Sequence, residues 1–175
     1  TKAPKLVEDL VPGKLPLGTV TKVLQNLLDE SVVIRDMKTI VETLSDECAK
    51  TQDAEQLTNL VRPKLGRMIV QNLVDTEETL EVMTLDPELE QLLHNVIQQN
   101  QGNQEIILEP GLAEGLFKSL RESTQGVEDQ GKPAVLVVSP PIRSWLSRAA
   151  KHRITELTVL SYSEIPDDQS VKVIQ

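Results

Sequence analysis

Apolar positions between Leu17 and Cys48 set the pattern of the chain. Leu17, Val20, Leu24, Leu27 and Leu28 recur at spacings of three and four, which places them on one helical face. Ser31-Val32-Val33-Ile34 breaks the rhythm, and Met37, Ile40, Val41, Leu44 and Cys48 resume it. The spacing predicts two amphipathic helices packed as a hairpin. Ahead of them, residues 4–11 read as a short helix with Leu6, Val7 and Leu10 on one side, stopped by Pro12-Gly13. Behind them, Asp53 is placed to cap a fourth helix, with Gln56 completing a capping box. Leu57, Leu60, Val61, Leu65, Met68 and Ile69 give that helix its apolar face. Pro63 inside it removes a backbone hydrogen bond and predicts a kink, and Gly66 leaves room for a neighbouring backbone.

After Asp75 the period changes. Leu80 and Val82, with Leu85 beyond them, alternate as in a half-buried strand. Asp86-Pro87 then supplies an N-cap and a first-turn proline for a helix with Leu89, Leu92, Leu93, Val96 and Ile97 inward. Residues 98–104 read as a polar loop, and 105–108 as a weak strand. Pro110 opens a helix carrying Leu112, Leu116 and Leu120, followed by a loop over 126–132. Ala134-Val-Leu-Val-Val138 is an unbroken apolar run, as a strand covered on both faces requires. A helix from Ser139-Pro140 to about His152 and a strand at Thr158-Val-Leu160 complete a βαβ unit, whose strands must be parallel. Val171, Val173 and Ile174 suggest a last, edge strand. The fold class expected is mixed α+β: an all-helical subdomain over 1–75, then a small α/β subdomain over 76–175 with a partly parallel sheet.

Composition narrows the function. Aromatics make up 2% of the chain (Phe117, Trp145 and Tyr162), so there is no platform on which bases could stack. The net charge of −9 argues against a nucleic-acid partner. Charges nearly cancel up to Asp75, and the acidic excess lies beyond. One basic cluster, Arg143, Arg148, Lys151, His152 and Arg153, breaks that trend; such clusters are most often a solvated helix face. The single cysteine, Cys48, excludes a disulfide framework within one chain and reads as a small core residue. No apolar run reaches the ~18 residues of a membrane span.

Chemistry is sparse. His94 and His152 lie far apart, with no Cys or carboxylate at a metal-ligand offset, so no metal is expected. The turn after the apolar run is Ser139-Pro140-Pro141, which offers few amide donors to a phosphate, and no cofactor is expected. Ser144 and Ser147 lie outside any nucleophile motif. The doublets Asp46-Glu47, Glu77-Glu78 and Asp167-Asp168 are ordinary in an acidic surface. Candidate partner-binding residues cluster on the helical part instead. Asp36 suits the positive end of the third helix. Arg35 beside it has no such local reason, and Lys38 and Glu42 extend the same polar face. Arg62 and Arg67 flank the kink at Pro63, as surface charges or as contacts to a neighbouring subunit.

Leu24-Gln-Asn-Leu-Leu28, Ile34-Arg-Asp-Met37 and Ile40-Val-Glu-Thr-Leu44 resemble the cytoplasmic part of the FlhA/InvA (FHIPEP) family, the export-gate proteins of flagellar and virulence type III secretion. Val61-Arg-Pro-Lys-Leu-Gly-Arg67 and Leu108-Glu-Pro-Gly-Leu-Ala113 agree in order and spacing, and Val159-Leu-Ser-Tyr-Ser-Glu-Ile165 resembles the flagellar branch. The resemblance implies a non-enzymatic part of a flagellar export gate. It implies a ring of identical subunits beneath the membrane that receives chaperone–substrate complexes and contacts other export-apparatus proteins. It also implies that the two parts are the third and fourth cytoplasmic subdomains of a longer chain, attached to the inner membrane through an upstream half. A chain that opens Thr1-Lys2-Ala3-Pro4 reads as a fragment of such a protein. The virulence gate is the alternative. A small enzyme with a site near Ser139 and Ser161–Glu164, at the carboxyl ends of the strands, is a second alternative.

Overall fold

The computed structural model describes residues 3–100 and 106–174. They form α1 (Ala3–Leu10), α2 (Leu17–Asp29), α3 (Met37–Glu47), α4 (Ala54–Lys64), α5 (Gly66–Gln71), β1 (Leu80–Thr84), α6 (Pro87–Gln99), α7 (Pro110–Glu128), β2 (Val135–Val138), α8 (Pro140–Ala150), β3 (Thr158–Ser161) and β4 (Val171–Val173). The chain divides into two compact units, Thr1–Asn72 with Ser163–Asp167, and Leu73–Tyr162 with Asp168–Gln175. The first is helical. The second is α/β, and the whole is mixed α+β.

In the helical unit α4 packs against both α2 and α3, and α1 against α3. Val20, Val23 and Leu27 of α2, Ile40, Val41 and Leu44 of α3, and Leu57 and Val61 of α4 are buried together with Leu10 and Leu15. Leu17 and Leu28, expected on the same stripe, stand exposed instead. The stripe of α2 is wider than the face its neighbours cover. Between α2 and α3 the chain turns through a Schellman motif. The Val32 amide donates to the Leu27 carbonyl at 2.9 Å and the Ser31 amide to Leu28 at 2.9 Å. Ser31 takes φ 60° to make this turn, a conformation in which a Cβ is strained.

Asp53 caps α4 by accepting the Gln56 amide at 2.9 Å. Its own amide is taken by the Thr51 hydroxyl at 3.2 Å, so the reciprocal bond of a capping box is replaced. Pro63 does not kink a continuous helix. It lies in the last turn of α4, Leu65 leaves helical geometry, and α5 starts at Gly66. Cys48 is the C-cap of α3 and donates its thiol to the Ser45 carbonyl at 3.1 Å.

The α/β unit carries a four-stranded sheet in the order β3-β2-β1-β4, every pairing parallel. Val135–Val138 is buried along its whole length, as its unbroken apolar run requires, and β4 is an edge strand exposed throughout. Leu93, Leu116, Phe117, Leu120, Leu136, Ile142 and Leu146 belong to one core cluster. Three expectations are corrected. Leu92 faces outward, 42% exposed, because α6 packs with the stripe centred on Leu93. Residues 106–108 form no strand, and the rest of that expectation lies outside the described residues. Helix α7 runs on through Gly126 to Glu128, since buried Thr124 and Val127 extend its inner stripe by two turns beyond Leu120. Gly131, with φ +72°, makes the turn beyond it.

The αL turn at Ser31 yields a test. Ser31→Gly removes the Cβ strain and is expected to stabilise the chain by about 0.5–1 kcal/mol, raising the melting temperature by about 1–4 °C in thermal denaturation. A lower melting temperature would reject the strain.

Candidate functional site

The six candidate interaction residues all fall in the helical unit, and the structure gives them different roles. Asp36 is the N-cap of α3: one carboxylate oxygen accepts the Thr39 amide at 3.1 Å and the other the Thr39 hydroxyl at 2.6 Å. The Thr39 hydroxyl, its amide and nearby Lys38 hold the Asp36 carboxyl below the usual carboxylate range. Lys38 and Glu42 face each other on α3 at 3.8 Å. Both are exposed, so the pair adds no more than about 0.5 kcal/mol. Arg35, just before the cap, is exposed, as is Arg67 on α5. Arg35, Asp36, Lys38 and Glu42 thus form one polar surface where α2 gives way to α3.

Arg62 belongs elsewhere. It is 2% exposed, not a surface charge. Its Nε donates to Glu164 Oε1 at 2.6 Å and its Nη1 to Glu30 Oε2 at 2.5 Å. Glu30 is the C-cap of α2, and Glu164 lies in the Ser163–Asp167 segment of the same unit. One planar guanidinium, with donors in a fixed fork, suits two carboxylates arriving from different directions. Gly66 serves the same contact: a Cβ there would lie 2.9 Å from the Glu164 carbonyl carbon and nearer still to its oxygen. The expectation that Gly66 admits a neighbouring backbone is met, and the neighbour is Glu164.

Neither Glu30 nor Glu164 stood out in the sequence. The available signal was the register of Arg62, four residues from buried Thr58 and next to buried Val61, which turns it inward. A buried arginine needs carboxylates, but nothing local says which.

At the carboxyl ends of the strands, Ser139 donates its amide to Glu90 Oε1 at 2.9 Å, and the Tyr162 hydroxyl donates to Glu90 Oε2 at 3.4 Å. Burial, with the Glu90 charge beside it, raises the Tyr162 pKa. The residues suggested for an enzyme site therefore separate: Ser139 and Tyr162 meet Glu90, and Glu164 meets Arg62. No group of three or more metal-binding side chains occurs among the described residues. Among the same residues no helix is long and apolar enough to cross a membrane.

Residues 1–170 match the profile of the FHIPEP family. The chain belongs to the FHIPEP family. It is 43% identical over 170 residues to the flagellar biosynthesis protein FlhA of Escherichia coli K12, covering 97% of this chain and 24% of that protein. It superposes on the CdsV protein in the Chlamydia pneumoniae CdsV and CdsO complex, with a TM-score of 0.87 at 26% identity, covering 98% of this chain and 49% of that one. The nonameric EscV cytosolic domain from the type III secretion system gives a TM-score of 0.81 at 26% identity, covering 99% and 51%. The chain thus spans about a quarter of the flagellar relative and half of the solved domains.

Two outcomes follow. Arg62→Ala leaves two carboxylates without their buried cation, and urea denaturation is expected to show a loss of about 3–5 kcal/mol. A loss below about 1 kcal/mol would mean that water replaces the guanidinium. Asp36→Ala is expected to cost about 1 kcal/mol near neutral pH. The folded pKa of Asp36 lies below the unfolded value of about 3.9, so its contribution is complete above that value and vanishes as the pH falls through the folded one. The difference between wild type and variant should accordingly close in acid. A difference that persists at pH 2 would mean that the cap does not act through its charge.

Proposed function

We propose that this chain is part of the export gate of a flagellar type III secretion apparatus. Its role is in assembly and handover, not catalysis. The carrying observation is the 43% identity to a flagellar relative over 97% of the chain, against 26% to the superposed CdsV and EscV domains. The helical unit and the α/β unit correspond in this reading to the third and fourth cytoplasmic subdomains of the full-length protein. The full-length protein sits in the inner membrane through its upstream half and presents this region to the cytoplasm.

The EscV cytosolic domain is nonameric, which supports a ring of identical copies here too. Arg35, Asp36, Lys38, Glu42 and Arg67, on the exterior of the helical unit, are the proposed contacts to a neighbouring copy. CdsV forms a complex with CdsO, which supports a surface for other apparatus proteins. Chaperone–substrate complexes are the proposed cargo of the assembled ring. A virulence gate is the second reading, favoured by the TM-scores of 0.87 and 0.81 to CdsV and EscV.

A chimera decides between them. Replacing the matching quarter of E. coli FlhA with this chain is expected to restore swimming in a strain lacking FlhA. Normal accumulation without flagella would favour the virulence reading. The same chimera carrying Arg35→Glu should accumulate and stay folded yet swim poorly. Full motility, or loss of the protein itself, would reject Arg35 as an assembly contact.

A further inference from the structure

The basic cluster at the end of α8 is not absorbed by the proposed function. From Gln130 to Thr155 there is no Asp or Glu, while Lys132, Arg143, Arg148, Lys151 and Arg153 occur, in a chain of net charge −9. The structure sorts these cations. Arg143 is 3% exposed and sits inside. Arg148 lies in the last turn of α8, Lys151 caps it, and His152 and Arg153 continue into the turn; all four are exposed.

A helix C-terminus attracts cations, and that accounts for Arg148 and Lys151. It does not extend to Arg153, which lies past the helix end. The Arg153 guanidinium stacks on the ring of Phe117, 4.5 Å from its centroid. Phe117 is a core residue of α7, so Arg153 is held by a rigid wall while its head remains at the surface. Arg121, one turn along α7 from Phe117, is exposed and adds a further cation.

We infer that the end of α8, with Arg121, Arg148, Lys151, His152 and Arg153, is a docking surface for a short acidic segment of a partner protein. Three features select that occupant. Arg148, Lys151 and Arg153 are close together in sequence, three of the surface's residues (Arg121, Arg148 and Arg153) are arginines, which bind carboxylates through fork geometry, and Arg153 is pre-positioned by its contact with Phe117. An anionic membrane is a poorer fit, because the remainder of this acidic chain would be repelled from a broad negative surface. The surface is independent of the export reading and would stand if that reading fell.

The probe is a fluorescein-labelled twelve-residue peptide of alternating Glu and Ala, titrated with the full chain and followed by anisotropy at low and physiological salt. The patch variant is Arg148→Ala with Lys151→Ala and Arg153→Ala. A control of equal charge change carries Lys5→Ala, Lys22→Ala and Lys64→Ala, exposed positions of the helical unit. The expected result is saturable, salt-sensitive binding that the patch variant loses at least tenfold and the control less than twofold, with circular dichroism unchanged in both. Arg153→Lys, which keeps charge and loses the planar stack, is expected to fall between. Equal losses in patch variant and control, or no saturable binding by the wild type, would overturn the inference. So would stronger association with phosphatidylserine-containing vesicles than with the peptide.

Discussion

Arg62 is where the helical unit closes on itself. Burying a guanidinium costs several kcal/mol unless carboxylates and good geometry offset it, and here Glu30 and Glu164 do so from positions 32 and 102 residues away. Neither acid is useful alone: Glu30 fixes the end of α2 against α4, and Glu164 fixes the segment 163–167. The neighbouring residues make sense around this demand. Pro63 ends α4 just after Arg62, and Leu65 breaks the helix. Gly66 then opens α5 with no side chain in the path of the Glu164 backbone. Side-chain charge and backbone clearance converge on the same residue, so a change in either should disturb the other.

The topology of the sheet explains why 163–167 is so constrained. β3 and β4 lie at opposite edges and run parallel, so the chain must return from the end of one to the start of the other. Three strand spacings of about 4.8 Å and a return of about 16 Å put the endpoints roughly 20 Å apart. The residues between Ser161 and Val171 reach at most about 35 Å when fully extended. A crossover helix, rising about 1.5 Å per residue, would use up that length. A short 3-10 turn at Tyr162–Glu164 followed by irregular chain is what remains. Arg62 supplies a fixed anchor for this segment through Glu164.

What could be read from the sequence was local. The stripes of α2 and α3, the Asp36, Asp53 and Asp86 caps, and the apolar run of β2 depend on neighbours within a turn or a strand, and each appears. The errors have physical causes. A helix is not stopped by a single glycine when Thr124 and Val127 keep its inner stripe, so α7 passes Gly126. Periodicity gives a face but not its width, so Leu17, Leu28 and Leu92 lie beyond what their neighbours cover. Glu30 and Glu164 were invisible because ion pairs across 32 and 102 residues leave no trace in local spacing. For the polar surface around Arg35, residue types indicate exposure and charge but not what meets them.

The scarcity of aromatic residues bears on how any partner is held. Interfaces that bind tightly as single contacts use buried Trp, Tyr and Arg anchors. Here Phe117 is in the core, Trp145 is partly buried, and Tyr162, though 51% exposed, is tied to Glu90. Among the described residues the exposed apolar side chains are scattered leucines, valines and isoleucines besides Tyr162, set among charged residues whose contacts are weak and salt-sensitive. In the proposed assembly a single copy would release such a partner readily. In the proposed ring the same weak contact is repeated around a closed circle, and an extended or multivalent partner gains effective concentration without any one site becoming tight. That combination would suit the handover proposed for the ring, because a strong single site would retain what it bound.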